Sequence, residues 1–141
     1  EFYMVGGSAI ALHIGHRLSI DFDLFKNGAI HPKKILTRFK ENKEDVLVTL
    51  NRQGQLNLVC RKVKFTFFNF EYDIPHPLEI EKSISIPSLL DLAAMKAFAL
   101  GMRSKLKDYI DLYFILKDHY TVKNYSGGSS ITLKVSAMKN R

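Results

Sequence analysis

Two aspartates stand two residues apart in "LSIDFDLF": Asp21 and Asp23, with Phe22 between them. In a strand, residues i and i+2 project from one face, about 6.5–7 Å apart along the chain. Two carboxylates so placed repel unless water or a cation lies between them. Mg²⁺ is commonly held by one or two carboxylates plus substrate phosphates. A carboxylate pair can also bridge two metal ions about 3.5–4 Å apart. The plain alternative is a solvated strand face. Just upstream, Gly6-Gly7-Ser8 opens a short helical pattern. Glycines let backbone N–H groups approach an anion, and a helix N-terminus attracts phosphate. The Ser8 hydroxyl adds one hydrogen-bonding group, or simply caps the helix. Farther on, "SLLDLAAMKAFAL" places Leu89, Leu92, Ala93 and Leu100 on one helical stripe, with Lys96 in its middle. A lysine there snorkels, pairs with an acid or meets an anion. Asp91 lies on the other side, a charge suited to the helix N-terminus. Carboxylate pair, Gly-Ser turn and buried lysine together describe a site for phosphates and a divalent metal.

Elements must hold these groups in place. "SAIALHI" reads as a short helix with Ser8 near its N-cap and Gly15 past its end. "SIDFDLF" alternates as a strand, with Ile20, Phe22 and Leu24 toward the core and the aspartates on the opposite face. Asn27-Gly28 is a turn signal, and Pro32 suits the first position of an amphipathic helix over 32–43, with Ile35, Leu36 and Phe39 on its apolar face. Three β-rich runs follow: "DVLVTL", "QLNLVC" and "VKFTFFNF". The last two are joined by Arg61-Lys62 as a hairpin. "YDIPHP" reads as a loop, since Pro75 and Pro77 cannot continue a central strand. Pro87 opens a helical section that runs to Gly101 and resumes in "SKLKDYIDLYFILKDHY". There Leu106, Tyr109, Ile110 and Tyr113 are expected to face the core, with Ser104, Lys107, Asp108 and Asp111 opposite. Lys107 and Asp111 are an i,i+4 pair. Asp108 and Asp111, three apart on one face, are unfavourable without a cation. "KNYSGGSS" is turn-rich, and "ITLKVSA" suits a final strand. The order predicts an α+β fold: a mixed sheet with packed helices and a helical C-terminal part.

A chain of 141 residues, 46% hydrophobic and 25% charged, suits one soluble globular domain with a real core. No apolar run reaches about 18 residues, which argues against a transmembrane helix, and no secretory signal is visible. The chain begins on Glu1 and enters apolar sequence at once, so a natural N-terminal piece is expected to be missing. The single Cys60 forbids an internal disulfide, fits a reducing cytoplasm and reads as a small core residue. The formal charge of +7 favours anionic partners. Residues 121–141 supply +4 of it, through Lys123, Lys134, Lys139 and Arg141, so charge alone separates a binding surface from a solvated one poorly. His13 and His16 straddle Gly15 with no Cys or third His at zinc spacing, and no Ser-His-Asp arrangement is legible. Arg17 in "GHR" reads as a loop charge or a phosphate contact.

The stretch "GGSAIALHIGHRLSIDFDLF" resembles the first motif of the AbiEii/AbiGii-type nucleotidyltransferases, members of the DNA-polymerase-β-like superfamily. "DLAAMKAFAL" and "RSKLKDYIDLYFIL" resemble that family's later motifs, so the likeness spans residues 2–117. The resemblance implies an Mg²⁺-dependent transfer of a nucleotide from an NTP to an RNA (such as tRNA) or protein hydroxyl. It implies that Asp21 and Asp23 are catalytic metal ligands, and that Gly7, Ser8, Lys96, Lys107 and Asp108 bind the nucleotide. It further implies a cytoplasmic bacterial toxin, paired with an antitoxin or acting in phage defence, with no membrane partner. Residues 1–82 would form the nucleotidyltransferase core, 83–120 a helical part closing the cleft, and 121–141 a tail without an assigned role.

One departure stands out. The superfamily usually adds a third carboxylate from a neighbouring strand, and in "VKFTFFNF" that position falls on Thr66. Thr is a poor general base and a weak Mg²⁺ ligand. Glu71 and Asp73 lie five and seven residues on, past the strand. Two other readings therefore stay open: a catalytically inactive nucleotide- or RNA-binding relative, and a partner-binding module.

Overall fold

A computed structural model describes residues 1–103 and 105–120. Its elements are β1 (Tyr3–Val5), α1 (Gly6–Ile14), β2 (Phe22–Lys26), α2 (Pro32–Glu41), β3 (Val46–Arg52), β4 (Gln55–Cys60), β5 (Val63–Asn69), β6 (Leu78–Ile80), β7 (Ile84–Ile86), α3 (Leu89–Leu100) and α4 (Leu106–Asp118). The strands make one mixed sheet in the order β3-β4-β5-β2-β1-β7-β6. β2 runs parallel to β5, and β1 parallel to β7; the other neighbours are antiparallel. The chain is thus α+β, as its element order predicts. The expected Ser104 position, the turn-rich "KNYSGGSS" and the strand "ITLKVSA" lie outside the described residues.

Alternation in the sequence sets the two faces. In β4, Leu56, Leu58 and Cys60 are buried while Gln55, Asn57 and Val59 are only partly so. The buried set meets Phe67 and the apolar stripe Ile35, Leu36 and Phe39 of α2, forming one core cluster. The second cluster lies around β1, with Ala9 and Ile10 of α1, Leu92, Ala93 and Ala94 of α3, and Ile115 of α4. Leu24 of β2 touches both clusters. The Arg61-Lys62 hairpin forms with φ of 49° and 68°, the left-handed pair that a two-residue turn needs to match strand twist. Among the described residues, no helix is long and apolar enough to cross a membrane.

Four expectations are corrected. First, β6 and β7 were not expected; each has three residues and they sit among Pro75, Pro77 and Pro87, too short for a period-2 signal. β7 pairs with β1 and so adds the start of the 83–120 segment to the sheet. Second, Ser8 is not at the α1 N-cap, which is Val5; it lies one turn inside and is buried. Third, Ile20 and Phe22 do not enter the core. β2 begins only at Phe22, Ile20 remains 65% exposed, and Phe22 stacks on Phe65 at 5.3 Å between centroids. Fourth, α4 is turned the opposite way. Leu106, Tyr109 and Tyr113 are exposed, whereas Asp108 and Asp111 are 2% and 0% exposed. The Lys107–Asp111 pair does not form, because His16, Arg17 and Lys96 hold Asp111, as described below, and Lys107 is on the exposed side.

The orientation of α4 is testable by stability. Leu106→Gln and Tyr109→Ser are expected to shift the free energy of unfolding by no more than about 0.5 kcal/mol. Ile115→Ala is expected to cost about 2–5 kcal/mol. Urea unfolding of the three variants checks the contrast.

Candidate active site

β1 passes into α1 without a loop, and Gly6 makes the turn at φ +73°, a left-handed conformation that favours glycine. Val5 at the end of β1 is in register with Asp23 of β2. The Asp23 side chain consequently lies against Gly6: a Cβ there would come within 2.3 Å of Asp23 Oδ2. On the other side of β2, Asp23 is in register with Thr66 of β5, whose hydroxyl hydrogen-bonds the carboxylate. The position expected for a third carboxylate is therefore occupied by Thr66. Glu71 and Asp73 lie beyond β5 and are exposed.

Burial raises the Asp23 carboxyl above its ordinary range. The Thr66 hydrogen bond and the positive charges of Lys96, Arg103 and Lys64 offset part of that rise. Asp21 lies one residue before β2 and is exposed. Its backbone carbonyl accepts a hydrogen bond from the Ser8 hydroxyl, whose oxygen is also 3.0 Å from Ser19 Oγ. Ser8 thus fastens the chain entering β2 to the first turn of α1. Gly7 lies beside Arg17: its Cβ would fall 2.3 Å from Nη2.

Behind this edge is a buried ionic cluster. Asp111 Oδ1 accepts from His16 Nε2 at 2.6 Å and from Arg17 Nε at 2.7 Å. Its Oδ2 accepts from Arg17 Nη2 at 3.0 Å and pairs with Lys96 Nζ at 2.9 Å. All four acceptor positions of one carboxylate are then used. Lys96 also bonds Asp108 Oδ1 at 2.6 Å, and Arg103 Nε approaches Asp108 Oδ2 at 3.5 Å. Lys96 has resolved its dilemma by meeting acids rather than snorkelling. Burial by itself would raise Asp111, but the bonds from Arg17, His16 and Lys96 outweigh it and hold the carboxyl down to about 2. Asp91 caps its own helix: its N–H donates to Ser88 Oγ, and the Ser88 hydroxyl returns a bond to its carboxylate.

The structure gathers Gly7, Ser8, Asp23, Lys96 and Asp108 around the α1 N-terminus and the adjoining helices, with Asp21 at the chain entering β2. It leaves Lys107 outside. His16 and Arg17 join the cluster although sequence reasoning gave them no firm part. The available signal was the unfavourable Asp108/Asp111 pair, which called for cations, but nothing in spacing says which cations.

Would the site suit a divalent metal? Among the described residues, no three His, Cys, Asp or Glu side chains come together as a metal cage. Two carboxylates near a phosphate-attracting helix end do fit Mg²⁺, which relies on substrate phosphates for the rest of its shell.

A mixed sheet with Gly6, Gly7 and Ser8 in the first turn of a helix, and Asp21 and Asp23 at the adjoining strand, has the fold of solved nucleotidyltransferases. The antibiotic-resistance factor ANT(2″)-Ia matches with a TM-score of 0.65 at 12% identity, over 99% of this chain and 82% of that one. The Megavirus polyadenylate synthase matches at 0.64 and 11% identity, over 89% of this chain and 30% of that one. Residues 1–127 match the model of the nucleotidyl transferase AbiEii toxin family, type IV toxin–antitoxin system, and the chain belongs to that family. JHP933 from Helicobacter pylori matches with a TM-score of 0.59 at 17% identity, over 84% of this chain. An uncharacterized protein of Aquifex aeolicus, aq_aa25, is 30% identical over 126 residues, 84% of this chain. The chain spans 59% of the length of each of these two relatives.

Two measurements follow from the charges. Asp111 titrates lower in the folded state than in the unfolded chain, so its stabilisation is complete above about pH 4 and is lost as pH falls toward about 2. The free energy of unfolding in urea should fall over that window, by an amount on the order of 2 kcal/mol, and Asp111→Asn should be less stable at neutral pH and flatter across the window. Asp23 has the opposite sign: its folded carboxyl is raised, so ionisation at neutral pH costs stability. Asp23→Asn, in metal-free buffer, should raise Tm, as read by a thermal melt.

Proposed function

We propose that this chain carries the catalytic site of an Mg²⁺-dependent nucleotidyltransferase. It would move a nucleotide from an NTP to a hydroxyl on RNA or protein, as the toxin of a bacterial toxin–antitoxin or phage-defence pair. The observation that carries the reading is the seating of Asp23. Its half-buried carboxylate is packed on Gly6 at the start of α1, beside the charges of Lys96 and Arg103. Membership of the AbiEii family supports the toxin role and an antitoxin partner. An anionic acceptor suits the basic chain. The buried free Cys60 suits a reducing cytoplasm.

In this mechanism Asp21 and Asp23 would hold the metal, which when bound neutralises phosphate charge and orients the attack. Thr66 fixes the Asp23 carboxylate from the neighbouring strand. Gly7 and the first turn of α1 lie where backbone N–H groups favour the leaving phosphates. Lys96 and Asp108 set the charge on the cleft wall, while Lys107, on the exposed side of α4, stands outside the gathered site. The acceptor oxygen bonds to the α-phosphorus, the bond to the β-phosphate breaks and pyrophosphate leaves. The acceptor proton goes to water, since Thr66 offers no carboxylate to take it. Residues 1–82 would supply the catalytic face, with α3 and α4 closing the cleft.

The register of Thr66 with Asp23 favours one second reading, a relative that binds NTP without turnover. Incubation with each labelled NTP, Mg²⁺ and total RNA or protein separates the two. Label transfer that Asp23→Ala reduces by about 10²-fold or more is expected. Thr66→Asp should speed transfer by about tenfold or more, by supplying the missing base. NTP binding without transfer to any acceptor would establish the inactive relative instead.

A further inference from the structure

Arg17 presents an unused edge. A guanidinium carries five N–H donors in a planar fork. Asp111 occupies the side edge, taking Nε and Nη2 at 2.7 and 3.0 Å. Leu18 O takes one Nη1 donor at 3.1 Å. The two remaining donors, one on each Nη atom, meet no acceptor among the described residues. The side chain is 18% exposed, whereas Asp111 behind it is fully covered. Around the cluster Arg17, Lys96 and Arg103 face the carboxylates of Asp108 and Asp111, and Lys96 and Arg103 also act on Asp23.

Gly7 supplies an independent observation. It sits within α1 with no left-handed φ, where alanine is the better helix former by about 1 kcal/mol. What glycine provides there is room, since a Cβ would come within 2.3 Å of Arg17 Nη2. Gly6 provides the same room for Asp23 Oδ2. The carboxylate and the guanidinium thus lie against successive residues of the chain.

We propose that Arg17 is a phosphate-binding residue whose free fork, held in place by Asp111 and admitted by Gly7, takes a terminal phosphate oxyanion of a nucleoside triphosphate. The assignment rests on the nucleotidyltransferase reading for the nucleoside, but not for the oxyanion. Asp111 is then a positioning residue. It keeps the fork planar to the incoming phosphate, and a lysine at position 17 would retain the charge and lose the bidentate geometry.

The experiment uses inorganic tripolyphosphate as the probe, without divalent metal. In the wild-type protein, phenylglyoxal modification of Arg17, mapped by mass spectrometry, should slow at least tenfold when tripolyphosphate is added. Arg38 on α2 should be unaffected. Calorimetric affinity for tripolyphosphate should fall at least tenfold in Arg17→Lys and in Gly7→Ala, with helix content checked by circular dichroism. Equal modification of Arg17 with and without the probe would overturn the proposal, whether or not the variants fold. So would wild-type affinity in a folded Gly7→Ala. Labelled-NTP transfer measured in parallel keeps the two readings apart. Transfer with an unprotected Arg17 removes only the fork, and protection without transfer removes only the enzyme.

Discussion

The architecture around the site depends on one buried carboxylate. Asp111 has no exposed surface and is held from two places in the chain: by His16 and Arg17 after α1, and by Lys96 on α3. A buried charge is stable only when paired and hydrogen-bonded, and removing its partners costs about 3–5 kcal/mol. That demand overrides the apolar pattern of α4. Turning Leu106, Tyr109 and Tyr113 inward would have buried more hydrocarbon, but it would have left two cations unpaired against the core. The helix therefore presents Asp108, Asp111 and Ile115 to the protein and its tyrosines to solvent.

The sheet side of the site obeys a different constraint, that of close approach. Asp23 is fixed by its register with Val5 on one strand and Thr66 on the other. Gly6 makes that register possible by leaving space for the carboxylate. Two glycines in succession thus serve two opposite charges. One admits an acid, and the next a guanidinium.

Much of this was legible in the sequence, for identifiable reasons. The β-rich composition of "QLNLVC" and "VKFTFFNF", the apolar stripe of α2 and the Arg61-Lys62 turn are local signals, and each element formed as expected. Thr66 is matched to its position through the family resemblance, and the register of β5 with β2 places it beside Asp23. Less was readable where the deciding partner is remote. The rotation of α4 follows from Arg17, 94 residues away in sequence. Ser8 looked like a cap because Ser commonly is one, yet its hydroxyl is taken by Asp21 across 13 residues. β6 and β7 are too short to carry a period, and their place comes from pairing with β1.

The long reach of the Arg17–Asp111 contact also sets an order in time. At synthesis rates of roughly 5–20 residues per second, the separation of 94 residues amounts to roughly 5–20 s between the appearance of the guanidinium and that of its counter-ion. Until then Arg17 lacks its counter-ion, and α1 and α3 meet through the apolar cluster of Ala9, Ile10, Leu92, Ala93 and Ala94. Asp21 and Asp23 are made early, and the wall opposite them follows with α4. A ribosome-bound chain that stops short of α4 carries the Asp-x-Asp segment without the charge arrangement around it.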